Sequence, residues 1–164
     1  MGLPFQHVTA KEYIATLGQQ AWNESFKFTV LRNPWDKVVS HYHYRVMTDQ
    51  TDLGSRTLEF GEWVKRTYGE QDPEFYDIPK MFMPQTDWIT DNDGNISTDL
   101  YLRFENLEAD FYGFCRTYQI SARPLPHLKA SKRGKYQLYY SPETIDIVEN
   151  WFKPDIENFG YRFE

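Results

Sequence analysis

The fifteen residues Phe26-Lys27-Phe28-Thr29-Val30-Leu31-Arg32-Asn33-Pro34-Trp35-Asp36-Lys37-Val38-Val39-Ser40 constrain the chain most. They open with aromatic and β-branched residues, the composition of a buried strand. Helix-start signals follow at once: Asn33 suits the N-cap and Pro34 the first helical position, and Asp36 complements the helix dipole. Trp35, Val38, Val39, Tyr42 and Val46 then recur on one helical face. The reading is strand, tight turn, helix, with Arg32 where the strand ends.

That placement carries chemistry. Amide groups at a helix start lack intrahelical partners, and the dipole there favours an anion. Arg32 adds a planar fork of donors that matches phosphate oxygens. Ser40, about two turns into the helix, adds a hydroxyl if its face looks back toward Arg32. The competing reading is a well-capped helix with Arg32 salt-bridged to a surface carboxylate, and the residues alone leave both open.

At 164 residues the chain fits one domain, 1–164, with a core supplied largely by 12 Phe, 12 Tyr and 5 Trp. Its 18 basic and 24 acidic residues give a net charge of −6, against the basic surplus that nucleic-acid binding needs, so no nucleic-acid partner is expected. No apolar run reaches the ~20 residues of a membrane span, and the first residues do not resemble a signal peptide. Cys115 is the single cysteine, so no internal disulfide or cysteine-bound zinc is expected; its aromatic neighbours suggest a buried thiol. A soluble, cytoplasmic protein is the expectation.

Along the chain, Thr9 and Glu12 form a capping box for a helix running to about Leu17. Residues 48–56 read as a loop and Thr57 to Tyr68 as a second amphipathic helix. The irregular stretch 69–84 carries Phe75, Tyr76 and Phe82, which either close the core or border a site. Thr86–Thr90 and Asp99–Arg103 read as two strands of a hairpin around Asp91-Asn92-Asp93-Gly94-Asn95. That turn does not match a calcium loop, because its glycine comes one position early. A helix follows Arg103 to about Tyr118. His127, Lys129, Lys132, Arg133 and Lys135 then make the one concentrated basic patch, either a second anion-binding segment or a solvated loop. Ser141 and Pro142 begin the last long helix. His41 and His43, two apart on a helix, do not share a face and read as ordinary helix residues.

Arg-Asn-Pro-Trp-Asp-x-x-x-Ser after a hydrophobic strand resembles the 3′-phosphate motif of sulfotransferases that use 3′-phosphoadenosine 5′-phosphosulfate (PAPS). The branch it resembles contains Golgi carbohydrate sulfotransferases and their bacterial relatives. The likeness continues through Pro84-Gln85-x-x-Trp88, Leu102-Arg103-Phe104-Glu105-Asn106-Leu107, Leu125-Pro126-His127, Tyr139-Tyr140-Ser141 and Asp155-x-x-x-Phe159-Gly160-Tyr161, in that order. It implies a three-layer α/β domain of the P-loop nucleotide-binding type. Arg32 and Ser40 would hold the 3′-phosphate, and Ser131, Lys132, Arg133 and Tyr136 would complete the nucleotide site.

The same resemblance implies in-line sulfuryl transfer from PAPS to a hydroxyl of a carbohydrate or small-molecule acceptor, with no metal. His7, in a His-x-Thr-Ala segment just upstream, would be the base; otherwise it packs on the helix start. The family's N-terminal 5′-phosphosulfate loop is expected ahead of that segment, and no Gly-x-x-x-x-Gly-Lys-[Ser/Thr] occurs in the sequence. The fold is therefore expected to be N-terminally truncated, with an unpaired sheet edge that invites a homo-oligomer. Two alternatives stay open: a noncatalytic module for 3′-phosphoadenosine nucleotides, and an oligomerising structural remnant.

Overall fold

The structure, a computed structural model, describes residues 7–56, 58–126 and 133–164. Thr9 starts α1 (Ala10–Leu17) with the expected capping box: its hydroxyl accepts from the Glu12 N–H at 3.2 Å, and the Glu12 carboxylate accepts from the Thr9 N–H at 2.7 Å. Gly18, at φ 90°, ends α1 and leads into α2 (Gln19–Glu24). Next come β1 (Phe28–Leu31) and α3 (Pro34–Met47), with Asn33 as N-cap and Pro34 first in the helix. The order continues with α4 (Phe60–Val64), prolonged by a wider turn to Gly69, then α5 (Pro79–Phe82) and α6 (Gln85–Ile89). β2 (Leu100–Arg103), α7 (Leu107–Thr117), α8 (Pro142–Trp151) and α9 (Lys153–Phe159) complete it.

This is a mixed helix–strand domain, as the α/β expectation requires, and the sheet consists of two parallel strands among the described residues. β1 runs beside β2 from Phe28 opposite Leu100 to Leu31 opposite Arg103. Phe28 meets Phe114 of α7, and Tyr101 meets Phe159 of α9. Parallel sheets are normally covered on both faces. Here Phe28, Val30 and Tyr101 remain 51%, 41% and 45% exposed.

The hairpin expected around residues 91–95 is corrected. Thr86–Thr90 is mostly helical, because the buried carboxylate of Asp155 accepts from the Gln85 and Thr86 N–H groups at 2.8 and 2.7 Å. Those are the unpartnered first amides of α6, so a distant side chain caps this helix. The turn itself forms. Asp91 Oδ1 accepts from the Asp93 and Asn95 N–H groups, and Thr90 and Ile96 make a single antiparallel bridge. β2 finds its partner in β1 instead.

The core gathers around α3. Trp35, Val38 and Val39 pack with Phe60, Trp63, Val64, Phe75, Phe82, Val148 and Phe152. The aromatics of 69–84 thus close the core, since Phe75 and Phe82 are fully buried; such a ring contributes about 1.5–3 kcal/mol. α8 is tied to α3 by Trp35 Nε1, which donates to the Ile145 carbonyl at 3.3 Å. The Tyr140 hydroxyl donates to the Trp35 carbonyl at 2.8 Å. Cys115 is buried and free, as its neighbours suggest. No helix among the described residues is long and apolar enough to cross a membrane.

Candidate anion site at the β1–α3 junction

Arg32 leaves β1 with both main-chain groups held. Its N–H donates to Gln85 Oε1 at 2.9 Å, and its carbonyl accepts from Gln85 Nε2 at 2.8 Å. Gln85 is anchored in turn by the fully buried Asp155, which accepts from its Nε2 at 3.1 Å and from Thr86 Oγ1 at 2.8 Å. The Asn33 side chain accepts from the Trp35 N–H at 3.0 Å and from the Asp36 N–H at 3.5 Å, and donates to the Arg162 carbonyl at 2.9 Å. The Asn33 N–H donates to Glu105, just beyond β2.

This bonding corrects one part of the sequence reading. The first amides of α3 were expected to face an anion; Asn33 and Glu105 already occupy them, and Pro34 has none. An anion here is left to the side chains.

Those side chains converge on Asp36. Arg32 Nε donates to Asp36 Oδ2 at 2.6 Å, and Arg133 Nη2 donates to Asp36 Oδ1. The alternative of an Arg32–carboxylate pair is therefore realised on one edge of the guanidinium. The Arg32 Nη groups have no hydrogen-bond partner among the described residues, and the guanidinium lies over the Phe104 ring at 4.0 Å. Burial lowers the Arg32 pKa, and the Asp36 charge works against that shift. A cleft of about 580 Å³ opens beside the pair, lined by Asp36, Arg133, Gly134, Lys135, Tyr136 and Gln137.

Arg32 and Arg133 are thus brought together. Ser40 is partly exposed one turn beyond Asp36 on the same helix face, and its hydroxyl makes no hydrogen bond among the described residues. Ser131 and Lys132 lie outside the described residues. His7 is exposed and stands apart. Its neighbours Val8, Thr9 and Ala10 line a second cavity of about 410 Å³ with Lys27, Phe28 and Thr29, at the start of β1. Arg32 follows the other end of that strand, about 10 Å farther along.

Behind the junction lie titratable groups that the sequence reading passed over. Lys37 donates to the Met83 carbonyl at 3.1 Å beneath the Phe152 ring; burial pulls its pKa down to about 8 despite Asp155 and Asp87. His41 is wedged against Trp63 and Phe82, with its pKa lowered by burial, then by Arg45 and Lys37, to about 3. His43 shares a 2.9 Å hydrogen bond with the Tyr139 hydroxyl. The two histidines do point to different surroundings, as their spacing requires.

Sequence reasoning missed the roles of Asp36, Gln85 and Asp155. Asp36 was read as a dipole partner only, and Gln85 and Asp155 appeared only inside resembling motifs. One signal was present: a carboxylate at 155 among Phe152, Ile156 and Phe159 demands buried donors.

No curated protein and no solved structure gives a match. The family model described as Sulfotransferase family matches residues 5–162. With nearly its whole length covered by that match, the chain belongs to the sulfotransferase family.

Proposed function

We propose that this chain binds PAPS by its 3′-phosphate at Arg32 and Arg133, and directs the sulfuryl group to a hydroxyl of a carbohydrate or small-molecule acceptor. The carrying observation is the pair of guanidiniums on one Asp36 carboxylate beside an open polar cleft. Guanidinium forks suit phosphate, and the Arg32 Nη groups are without a protein partner among the described residues, so the residues present fit a phosphomonoester. Ser40 would add its hydroxyl from the same face of α3, and Ser131 would complete the nucleotide site. Bound PAPS supplies an activated sulfuryl group. His7 would take the acceptor proton, with the acceptor ring seated in the second cavity among Tyr13, Trp22 and Trp88.

Calorimetric titration with adenosine 3′,5′-bisphosphate tests this reading. Saturable binding to the wild-type chain and at least about tenfold weaker binding to Arg32→Ala are expected. Equal binding by the two would sink the site assignment.

A second reading is a nucleotide-binding module without chemistry. Arg32-dependent binding with no sulfuryl transfer from PAPS across an acceptor screen would support it. A purely structural remnant would bind no nucleotide.

A further inference from the structure

A carboxylate inside an anion site is a puzzle on charge alone, since it repels the ligand. Asp36 nevertheless stands between the two arginines, one oxygen on each. Its side chain is 16% exposed, and those of Arg32 and Arg133 are 19% and 13% exposed. Two guanidiniums this close and this sheltered repel each other, and only Asp36 is shared between them among the described residues. The contact also spans the fold: Arg133 lies three residues ahead of the turn Tyr136–Tyr139, and Asp36 is in the first turn of α3. Tyr136 adds a weaker tie to the junction, accepting from Asn33 Nδ2 at 3.4 Å.

We propose that Asp36 is a positioning residue whose carboxylate clasps Arg32 and Arg133, so that a phosphate dianion meets both at their unpaired edges. The proposal rests on the phosphate reading above and adds to it. Asp36 takes Nε of Arg32 and one Nη of Arg133. The remaining donors of both guanidiniums are thereby fixed in direction before ligand arrives, which lowers the ordering cost of binding. The same clasp latches the Arg133–Tyr139 segment to α3, so that the wall of the cleft holds its place.

Charge and positioning predict opposite signs for one substitution. Asp36→Asn removes a negative charge from an anion site, which by Coulomb's law alone would tighten binding. It also replaces one acceptor oxygen by a donor that faces a guanidinium, which breaks the clasp. Adenosine 3′,5′-bisphosphate is titrated into the wild type, Asp36→Asn, Arg133→Gln, the double variant and Asp36→Glu. We expect Asp36→Asn to weaken binding by roughly tenfold or more, and Asp36→Glu to recover part of that loss. The Asp36→Asn loss should shrink in the Arg133→Gln background, where one arm is already gone. Equal or tighter binding by Asp36→Asn overturns the proposal, as does full additivity of the two substitutions.

Arg133→Gln probes the clasp from its other end if Asp36→Asn does not fold, and unchanged binding by Arg133→Gln also overturns it. If the wild-type chain binds no nucleotide, it is the phosphate reading that has failed. The clasp is then judged without ligand, by amide hydrogen exchange. Faster exchange across Tyr136–Tyr140 in Arg133→Gln supports the clasp, and unchanged exchange refutes it.

Discussion

Gln85 pairs with Arg32 as a neighbouring strand would, accepting from its N–H at 2.9 Å and donating to its carbonyl at 2.8 Å. One side chain thus continues the sheet ladder for a residue beyond the end of β1. It fixes the direction in which the Arg32 side chain departs, and Asp155 fixes Gln85 from below. Gln85→Leu keeps the volume and deletes both bonds. The expected result is a loss of about 2 kcal/mol in urea unfolding, since two main-chain groups lose their partners. Weaker binding of adenosine 3′,5′-bisphosphate should accompany it.

Asp155 is fully buried and accepts from the Gln85 and Thr86 amides, Gln85 Nε2 and Thr86 Oγ1. Asp155→Asn presents an NH₂ group to donors that need an acceptor, and removes the larger of the two carboxylate charges that favour the Lys37 ammonium. Destabilisation of about 3 kcal/mol or more is expected from the denaturation midpoint. A loss below about 1 kcal/mol would mean that Asp155 does not organise α6.

Asn33 closes the first turn of α3 and ties it to Arg162 near the carboxyl end. Asn33→Ala removes the cap and the tie together. Stability should fall by about 1–2 kcal/mol. The amides of Trp35 and Asp36 would then lose their partner, and faster hydrogen exchange at those two positions is the check.

His41 supplies an acid-sensitive element. Burial, with Arg45 and Lys37 nearby, holds its pKa at about 3 against an ordinary 6.5. Between those values the unfolded chain binds more protons, so stability falls as pH drops from 6.5 to 3 and the loss levels off below. The size of the effect is on the order of 5 kcal/mol. His41→Phe suits the Trp63 and Phe82 contacts and has no proton to bind. Its unfolding free energy should decline less over that pH range than that of the wild type; parallel curves would exclude His41 as a source.

What the sequence made legible was local. The Thr9–Glu12 box, the Asn33 and Pro34 start of α3 and the Ser141 start of α8 each depend on residues within one turn. The structure departs from the reading where the deciding partner is distant. α6 was taken for a strand because its cap arrives from Asp155, 70 residues later than Gln85. β2 was assigned to a hairpin because nothing near Leu100 announces a parallel partner at Phe28. The place of Arg32 at the end of β1 was legible. That Arg32 and Arg133 would share the Asp36 carboxylate, 97 residues from Arg133, was not. The Asn33 amide was misjudged for the same reason, since Glu105 reaches it from 72 residues away.

The parallel pairing of β1 and β2 also sets an order of assembly. Phe28 reaches Leu100 only after the intervening chain has folded back, and that closure costs entropy before any contact repays it. Arg32 follows β1 by one residue, and Glu105 follows β2 by two. The junction that gathers the arginines is therefore complete only once the sheet has closed. A ligand seated there acts on the finished molecule, slowing its unfolding while leaving the early helices to form at their own rate.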